Sequence, residues 1–296
     1  MIHQPHLFVR LGLAGALLLA LVFAGSLVFA QAGEDYTPII GQPGKDVVWV
    51  PTPEALVDRM LRMAQVTAAD YVVDLGSGDG VITIAAARDF NARALGIEYN
   101  PDLVELAKRN AQRAGVADRA TFIHGDIFEE DFSSATVVTM YLLQQLNLRV
   151  RDTLLQMKPG TRVVSHAFDM EEWEADDIAT VEGRMAFLWI VPAQIEGTWR
   201  LSFSQGGQSV TATMALEQDF QQFSGTLSQG MVSQLDETRL TGDAIEFVLS
   251  DSQGHQRRFS GTVEGNLMQG TVSDSAGQLV EFHAERQTAG SSSRSR

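Results

Sequence analysis

Tyr71-Val72-Val73-Asp74-Leu75-Gly76-Ser77-Gly78-Asp79-Gly80 reads as a buried strand that turns sharply into a helix, and two further carboxylates, Glu98 and Asp126, follow the next two strand-like runs. Such a turn needs residues without a Cβ, which also let a ligand approach the backbone at a helix N-terminus. Working outward, the strand-like runs 94–98, 120–123, 135–141 and 161–165 alternate with helical periodicity over 80–89, 101–114 and 146–157. Upstream, Thr52-Pro53-Glu54 opens another helix, with Thr52 as N-cap and Pro53 as the first helical residue. Repeated strand–helix units predict an α/β fold, a Rossmann-like doubly wound parallel sheet with right-handed crossovers and a ligand beyond the carboxyl ends of its strands.

The acids at that edge select the ligand. A Gly-x-Gly-x-Gly turn alone fits a dinucleotide equally well, but a pyrophosphate gains nothing from a carboxylate two residues before the first glycine. A ligand that carries an ammonium and a sulfonium, S-adenosylmethionine, suits Asp74 better. Gly76, Ser77, Gly78 and Gly80 then form the floor under it. Glu98 is placed to accept both ribose hydroxyls, Asp126 to meet the adenine amino group, and Ile127 to pack on the ring. Each acid alone has a structural explanation, as a helix cap or a loop tie. Three in order at successive strand ends favour the cofactor.

Val50-Pro51-Thr52-Pro53, Met140-Tyr141-Leu142-Leu143 with Asn147, and Met157-Lys158-Pro159-Gly160-Thr161-Arg162-Val163-Val164-Ser165-His166 resemble the class I, seven-strand lysine methyltransferases related to the ATP synthase c-subunit lysine N-methyltransferase and its prokaryotic relatives. The segment 148–165 is also similar to the non-SET nucleosomal lysine methyltransferases. Two positions depart from the family pattern: Gln144, where a proline usually follows Tyr-Leu-Leu, and Ala167, where an aspartate usually follows Ser-His. The resemblance implies methyl transfer from S-adenosylmethionine to a protein lysine, with Thr52, Tyr141 and Asn147 lining the acceptor channel. In-line displacement on a sulfonium needs mainly placement, and an apolar channel favours the neutral amine. Tyr141 has the alternative fate of a strand-end aromatic packed on the core. A small-molecule acceptor is the nearer alternative function.

The first thirty residues carry one arginine and no acid, and 11–30 hold no charge at all. Val28-Phe29-Ala30 before Gln31 reads as a signal-peptidase site, and the apolar run is also long enough for a membrane anchor. Arg10 on one side and Glu34-Asp35 on the other predict a cell-envelope location outside the cytoplasm. S-adenosylmethionine is made in the cytoplasm, so an inverted, cytoplasm-facing anchor, a supplied cofactor, and an inactive envelope binding protein stand beside that expectation.

The chain has no cysteine, which excludes disulfides, lipoprotein attachment and thiolate metal sites. Its six histidines lack paired ligand spacing, so no metal is expected, and His124 and His166 read as ordinary polar strand ends. A net charge of −15 argues against nucleic acid and suits a basic protein segment or a small molecule. After Pro192 the period changes to two. The runs 198–203, 210–216, 220–227, 244–249, 257–263, 267–272 and 279–284 alternate between Gly, Ser, Asp and Gln. Phe223-Ser224-Gly225-Thr226-Leu227 recurs as Phe259-Ser260-Gly261-Thr262-Val263. These runs predict a small all-β antiparallel barrel or sandwich, its interior filled by Trp199, Phe203, Phe223, Phe247 and Phe259. The expected organisation is a signal peptide or anchor (1–30), linker (31–45), methyltransferase domain (46–192), all-β domain (193–287) and disordered Ser-rich tail (288–296).

Overall fold

The structure, a computed structural model, describes residues 36–205, 208–250, 254–273 and 277–287. The apolar segment 11–30 and the tail 288–296 lie outside the described residues. Among the described residues, no helix is long and apolar enough to cross a membrane. The described residues from Pro38 onward form one compact unit.

Five parallel strands build the first half: β1 (Tyr71–Leu75), β2 (Arg93–Glu98), β3 (Ala120–His124), β4 (Val137–Met140) and β5 (Arg162–His166). An antiparallel hairpin, β6 (Asp177–Val181) and β7 (Arg184–Ile190), completes a seven-stranded sheet of order β3-β2-β1-β4-β5-β7-β6. Four helices cover it: α1 (Glu54–Met63), α2 (Val81–Asp89), α3 (Pro101–Arg113) and α4 (Gln144–Leu155). The side-chain period of two divides the core cleanly. Val72, Val137 and Val164 point to the face packed by Leu56, Met60 and Leu61 of α1. Their neighbours Val73, Val138 and Val163 point to the other, with Val150 and Leu154 of α4. Both faces are covered, which is why the central strands are almost continuously apolar.

Capping departs from expectation at α1. Its N-cap is Pro53, with no side-chain capping bond, and Thr52 spends its hydroxyl on a partner 114 residues away. At α3 the cap is Asn100, whose Oδ1 accepts from the Asp102 N–H at 2.9 Å, with Pro101 at the first helical position. At the edge opposite the glycine loop, Asp70 ties the strand starts together. It accepts from Thr136 Oγ1 at 2.7 Å and pairs with Arg162, which also donates to the Ala64 carbonyl. Burial pushes the Asp70 carboxyl up, but these donors outweigh it and hold it below its ordinary value.

Eight antiparallel strands follow: β8 (Gly197–Gln205), β9 (Gln208–Asp219), β10 (Gln222–Ser228), β11 (Val232–Thr241), β12 (Ala244–Ser250), β13 (Gln256–Glu264), β14 (Leu267–Ser273) and β15 (Leu279–Arg286). They close into a barrel, since β9 pairs with β10 and β15 with β8. The sequence pattern misses β11, where a register shift between Asp236 and Arg239 and a positive φ of 47° at Glu237 break the alternation. Inside, Phe247 stacks on Phe259 at 4.7 Å, and Phe203 and Phe282 meet Phe259 edge-on. The repeated Ser-Gly-Thr segment has its reason here. Gly261 pairs with Gly270, and a Cβ on Gly270 would stand 2.2 Å from the Ser260 carbonyl oxygen and 2.9 Å from the Phe282 ring.

The barrel docks on the sheet through few but specific contacts. Phe220, in the β9–β10 turn, stacks on Trp173 at 6.1 Å under the guanidinium of Arg151. Ala193 N–H donates to the Gly242 carbonyl at 2.8 Å, and Gly242 lies so close to Gly160 that a Cβ would approach its Cα to 2.9 Å. Gly270→Val is expected to lower stability by about 1–3 kcal/mol, as overpacked sites do, without changing ligand binding at the sheet edge. Urea unfolding followed by tryptophan fluorescence measures it; an unchanged midpoint contradicts the close approach.

Candidate functional site

The carboxyl ends of β1, β2, β3 and β4 open into a cavity of about 470 Å³, a size common to small-ligand sites. Asp74, Gly76, Ser77, Gly78, Glu98, Asp126, Ile127, Tyr141 and Thr52 all line it. Gly80 and Asn147 lie behind its wall. Gly80 caps α2 at a φ of 86°, where a Cβ would strike the Phe122 ring at 2.7 Å, so it fixes how α2 seats on β3. Asn147 is fully buried and donates from Nδ2 to Ser165 Oγ at 3.1 Å and to the Phe168 carbonyl at 2.9 Å; its Oδ1 has no partner among the described residues. It braces the loop that carries Phe168 into the lining.

The glycine loop is held from β2. Gly76 and Ser77 N–H both donate to the Ile97 carbonyl, and Gly78 N–H donates to Glu98 Oε2 at 2.9 Å. Glu98 Oε1 accepts from Asn100 N–H at 2.8 Å, so this carboxylate locks two strand ends while still facing the cavity. Ser77 Oγ is buried without a partner among the described residues.

Asp74 is 2% exposed. Thr139 Oγ1 donates to one oxygen at 2.7 Å and Thr83 Oγ1 to the other at 3.4 Å, but no cation pairs with it among the described residues. Burial pushes its carboxyl up to about 7; Thr139 and Thr83 offset part of this, and the negative charges of Glu98 and Asp79 add to it. A dry carboxylate in that state is relieved by a ligand cation.

Asp126 has two attachments. Its Oδ1 accepts from Phe128 N–H at 3.0 Å, the loop tie that is its structural alternative, and Oδ2 pairs with Lys45. That pairing holds Asp126 below and Lys45 above their ordinary values. The Lys45 ammonium also lies 4.6 Å from the Tyr99 ring centroid. Residues 42–52 thus form one cavity wall, and Trp49 lies over the glycine loop, its Nε1 2.8 Å from where a Cβ on Gly78 would stand.

At the other end, His166 is buried beside Thr52 and Tyr141. Its Nδ1 lies 3.1 Å from Thr52 Oγ1, and its ring stacks on Tyr141 at 3.7 Å. The sequence pattern marks His166 as an ordinary strand end and does not single out Lys45, Trp49 or Phe168. The proline-flanked Val50-Pro51-Thr52-Pro53 is the available signal for the wall, without its direction.

The cavity fits a cationic nucleoside on three observations: an unpaired buried carboxyl at Asp74, an unsatisfied Ser77 hydroxyl, and bare backbone at Gly76 and Gly78. The profile of the ANTKMT methyltransferase domain matches residues 74–177. A protein-lysine N-methyltransferase of Saccharolobus islandicus (strain REY15A) is 47% identical over 138 residues, which span 46% of this chain and 86% of that relative. The chain belongs to the same methyltransferase family as that relative. It is an S-adenosylmethionine-dependent methyltransferase. The ATP synthase c-subunit lysine N-methyltransferase of Mus musculus is 32% identical over 158 residues, 52% of this chain and 62% of that protein. A crystal structure of an RNA methyltransferase from Salinibacter ruber in complex with S-adenosyl-L-homocysteine is 52% identical, covers 49% of this chain and 96% of that one, and superposes with a TM-score of 0.49.

A raised acid binds protons more tightly folded than unfolded. Its contribution is therefore present at low pH and is lost as pH rises from about 4, the unfolded value, to about 7, at about 1.4 kcal/mol per pH unit. Asp74→Asn in the ligand-free methyltransferase is expected to remove that slope from stability measured against pH. An unchanged slope, or a carboxyl resonance titrating below pH 5, contradicts it.

Proposed function

We propose that this methyltransferase transfers the methyl group to a lysine side chain of a protein partner. The observation that carries the reading is a single cavity with two chemically distinct ends. The acids and bare backbone lie at the ends of β3, β2 and β1 in the sheet order, whereas Tyr141 and Phe168 follow β4 and β5, and Thr52 bonds to His166 of β5. The Saccharolobus relative, named for protein-lysine methylation and spanned over 86% of its length, supports it.

In this reading Asp74 and the backbone of Gly76-Ser77-Gly78 hold the amino-acid end of the cofactor, and Glu98 takes the ribose hydroxyls through lone pairs left over from Gly78 and Asn100. Asp126 and Ile127 take the adenine, with Lys45 sharing or ceding the Asp126 carboxylate. Bound there, S-adenosylmethionine supplies a methyl group already activated on a sulfonium. The protein supplies placement and dryness. Tyr141 and Phe168 give the acceptor amine an apolar wall, which favours its neutral, nucleophilic form, and Thr52 offers it a hydroxyl. Asn147 acts one layer back, holding the Phe168 loop. Among the described residues the cavity lining takes nothing from the barrel, so the barrel stands apart from the transfer step.

Asp74→Ala or Glu98→Ala is expected to weaken S-adenosylmethionine binding by about 10- to 100-fold in calorimetry, the range for losing hydrogen bonds to a charged group. Labelled methyl from S-adenosylmethionine is expected in acid-precipitated protein, as methyl-lysine on hydrolysis. Label confined to solvent-extractable products moves the assignment to a small-molecule acceptor; unchanged affinity in both variants removes the cofactor roles.

A further inference from the structure

His166 ends β5 and is buried, yet nothing in the cofactor grip or the transfer step described above uses it. It does not line the cavity, but Thr52 and Tyr141, which its ring meets, both do. Nδ1 is 3.1 Å from Thr52 Oγ1, on the segment that leads into α1. Its ring lies against Tyr141, just beyond β4, with centroids 3.7 Å apart and planes at 29°. Thr52 is free for this contact because it makes no capping bond to α1. One imidazole therefore joins two wall residues that come from separate parts of the chain and meet at the end of the cavity away from Asp126.

We propose that His166 is a positioning residue of the acceptor channel: its hydrogen bond to Thr52 and its stack on Tyr141 fix the two walls between which the acceptor amine lines up with the methyl donor. The inference rests on the reading of that cavity end as the acceptor channel. In the tautomer with its proton on Nε2, His166 accepts the Thr52 hydroxyl proton, which leaves the lone pairs of Oγ1 to accept from the acceptor N–H. The imidazole also stays uncharged where charge is harmful. Burial pushes it down to about 4, and the nearby Arg184 adds to this, so it brings no positive charge up to a sulfonium or an amine that must lose its own. The remaining brace comes from β5 itself, where Ser165 Oγ accepts from Asn147.

The test needs no identified acceptor. The probe is an S-adenosylhomocysteine analogue in which nitrogen replaces sulfur and carries an aminobutyl arm; its control carries a methyl group in place of the arm. Calorimetry on the full chain is expected to show that the arm increases affinity. His166→Phe, which keeps an aromatic face without the hydrogen bond, is expected to lose about five- to tenfold of that increase, the effect of one neutral hydrogen bond, while leaving the methyl analogue unaffected. Thr52→Val is expected to lose the same amount, and the double variant no more than either alone. His166→Asn, whose amide reaches for the same hydroxyl, recovers part. Equal weakening of both ligands in His166→Phe assigns the residue a structural role and overturns the proposal, as does no change in either. A wild-type protein indifferent to the arm refutes the acceptor channel itself, while its binding of the methyl analogue leaves the cofactor end standing.

Discussion

A carboxylate kept dry with no cation beside it among the described residues is the constraint around which this cavity is organised. Asp74 stands one residue before the end of β1, an inner strand between β2 and β4, flanked by hydroxyls that satisfy it partly and by two further acids that make ionisation harder. Folding leaves that cost in place, and a positively charged ligand removes it. The rest of the sheet edge is consistent with the same logic. Glu98 accepts from the glycine loop while still facing the cavity, and backbone rather than side chain faces the cavity at Gly76 and Gly78. The sheet below, closed on both faces and tied at its far edge by Asp70 and Arg162, gives these groups a rigid base.

The cavity is completed by chain that lies outside the strand–helix repeat. Residues 42–52 cross over the glycine loop, with Trp49 above Gly78 and Lys45 on Asp126, and continue into Thr52 and its bond to His166. One short segment thus touches Asp126, the glycine loop and His166. The barrel contributes nothing to this wall among the described residues. Its own aromatic interior is filled, and it is fastened to the sheet through Phe220, Trp173 and the Gly160–Gly242 approach.

What is legible in the sequence is what is local. The buried strand of β1, its glycine turn and the acids at 98 and 126 follow from periodicity and spacing, and the five parallel strands follow with them. The hairpin of β6 and β7 does not read as strands, because β6 buries one residue, Ala179, and so shows no alternation. The bulged, charged β11 escapes for a related reason. At the site, the failures are all long-range. Thr52 has the right type and position for a helix cap, and only a histidine 114 residues later takes its hydroxyl away. Asn147 sits on the predicted helix, but its amide turns inward to the loop behind the wall. Lys45 looks like linker until the fold brings Asp126 to it.

The most direct measurement is proton release on cofactor binding, obtained calorimetrically at pH 6 in buffers of different ionisation enthalpy. A carboxyl that titrates at about 7 and is ionised by a ligand cation gives up nearly one proton per S-adenosylmethionine bound, and Asp74→Asn gives up none. Tight binding by the unaltered chain without proton release, or no binding at all, would contradict the account.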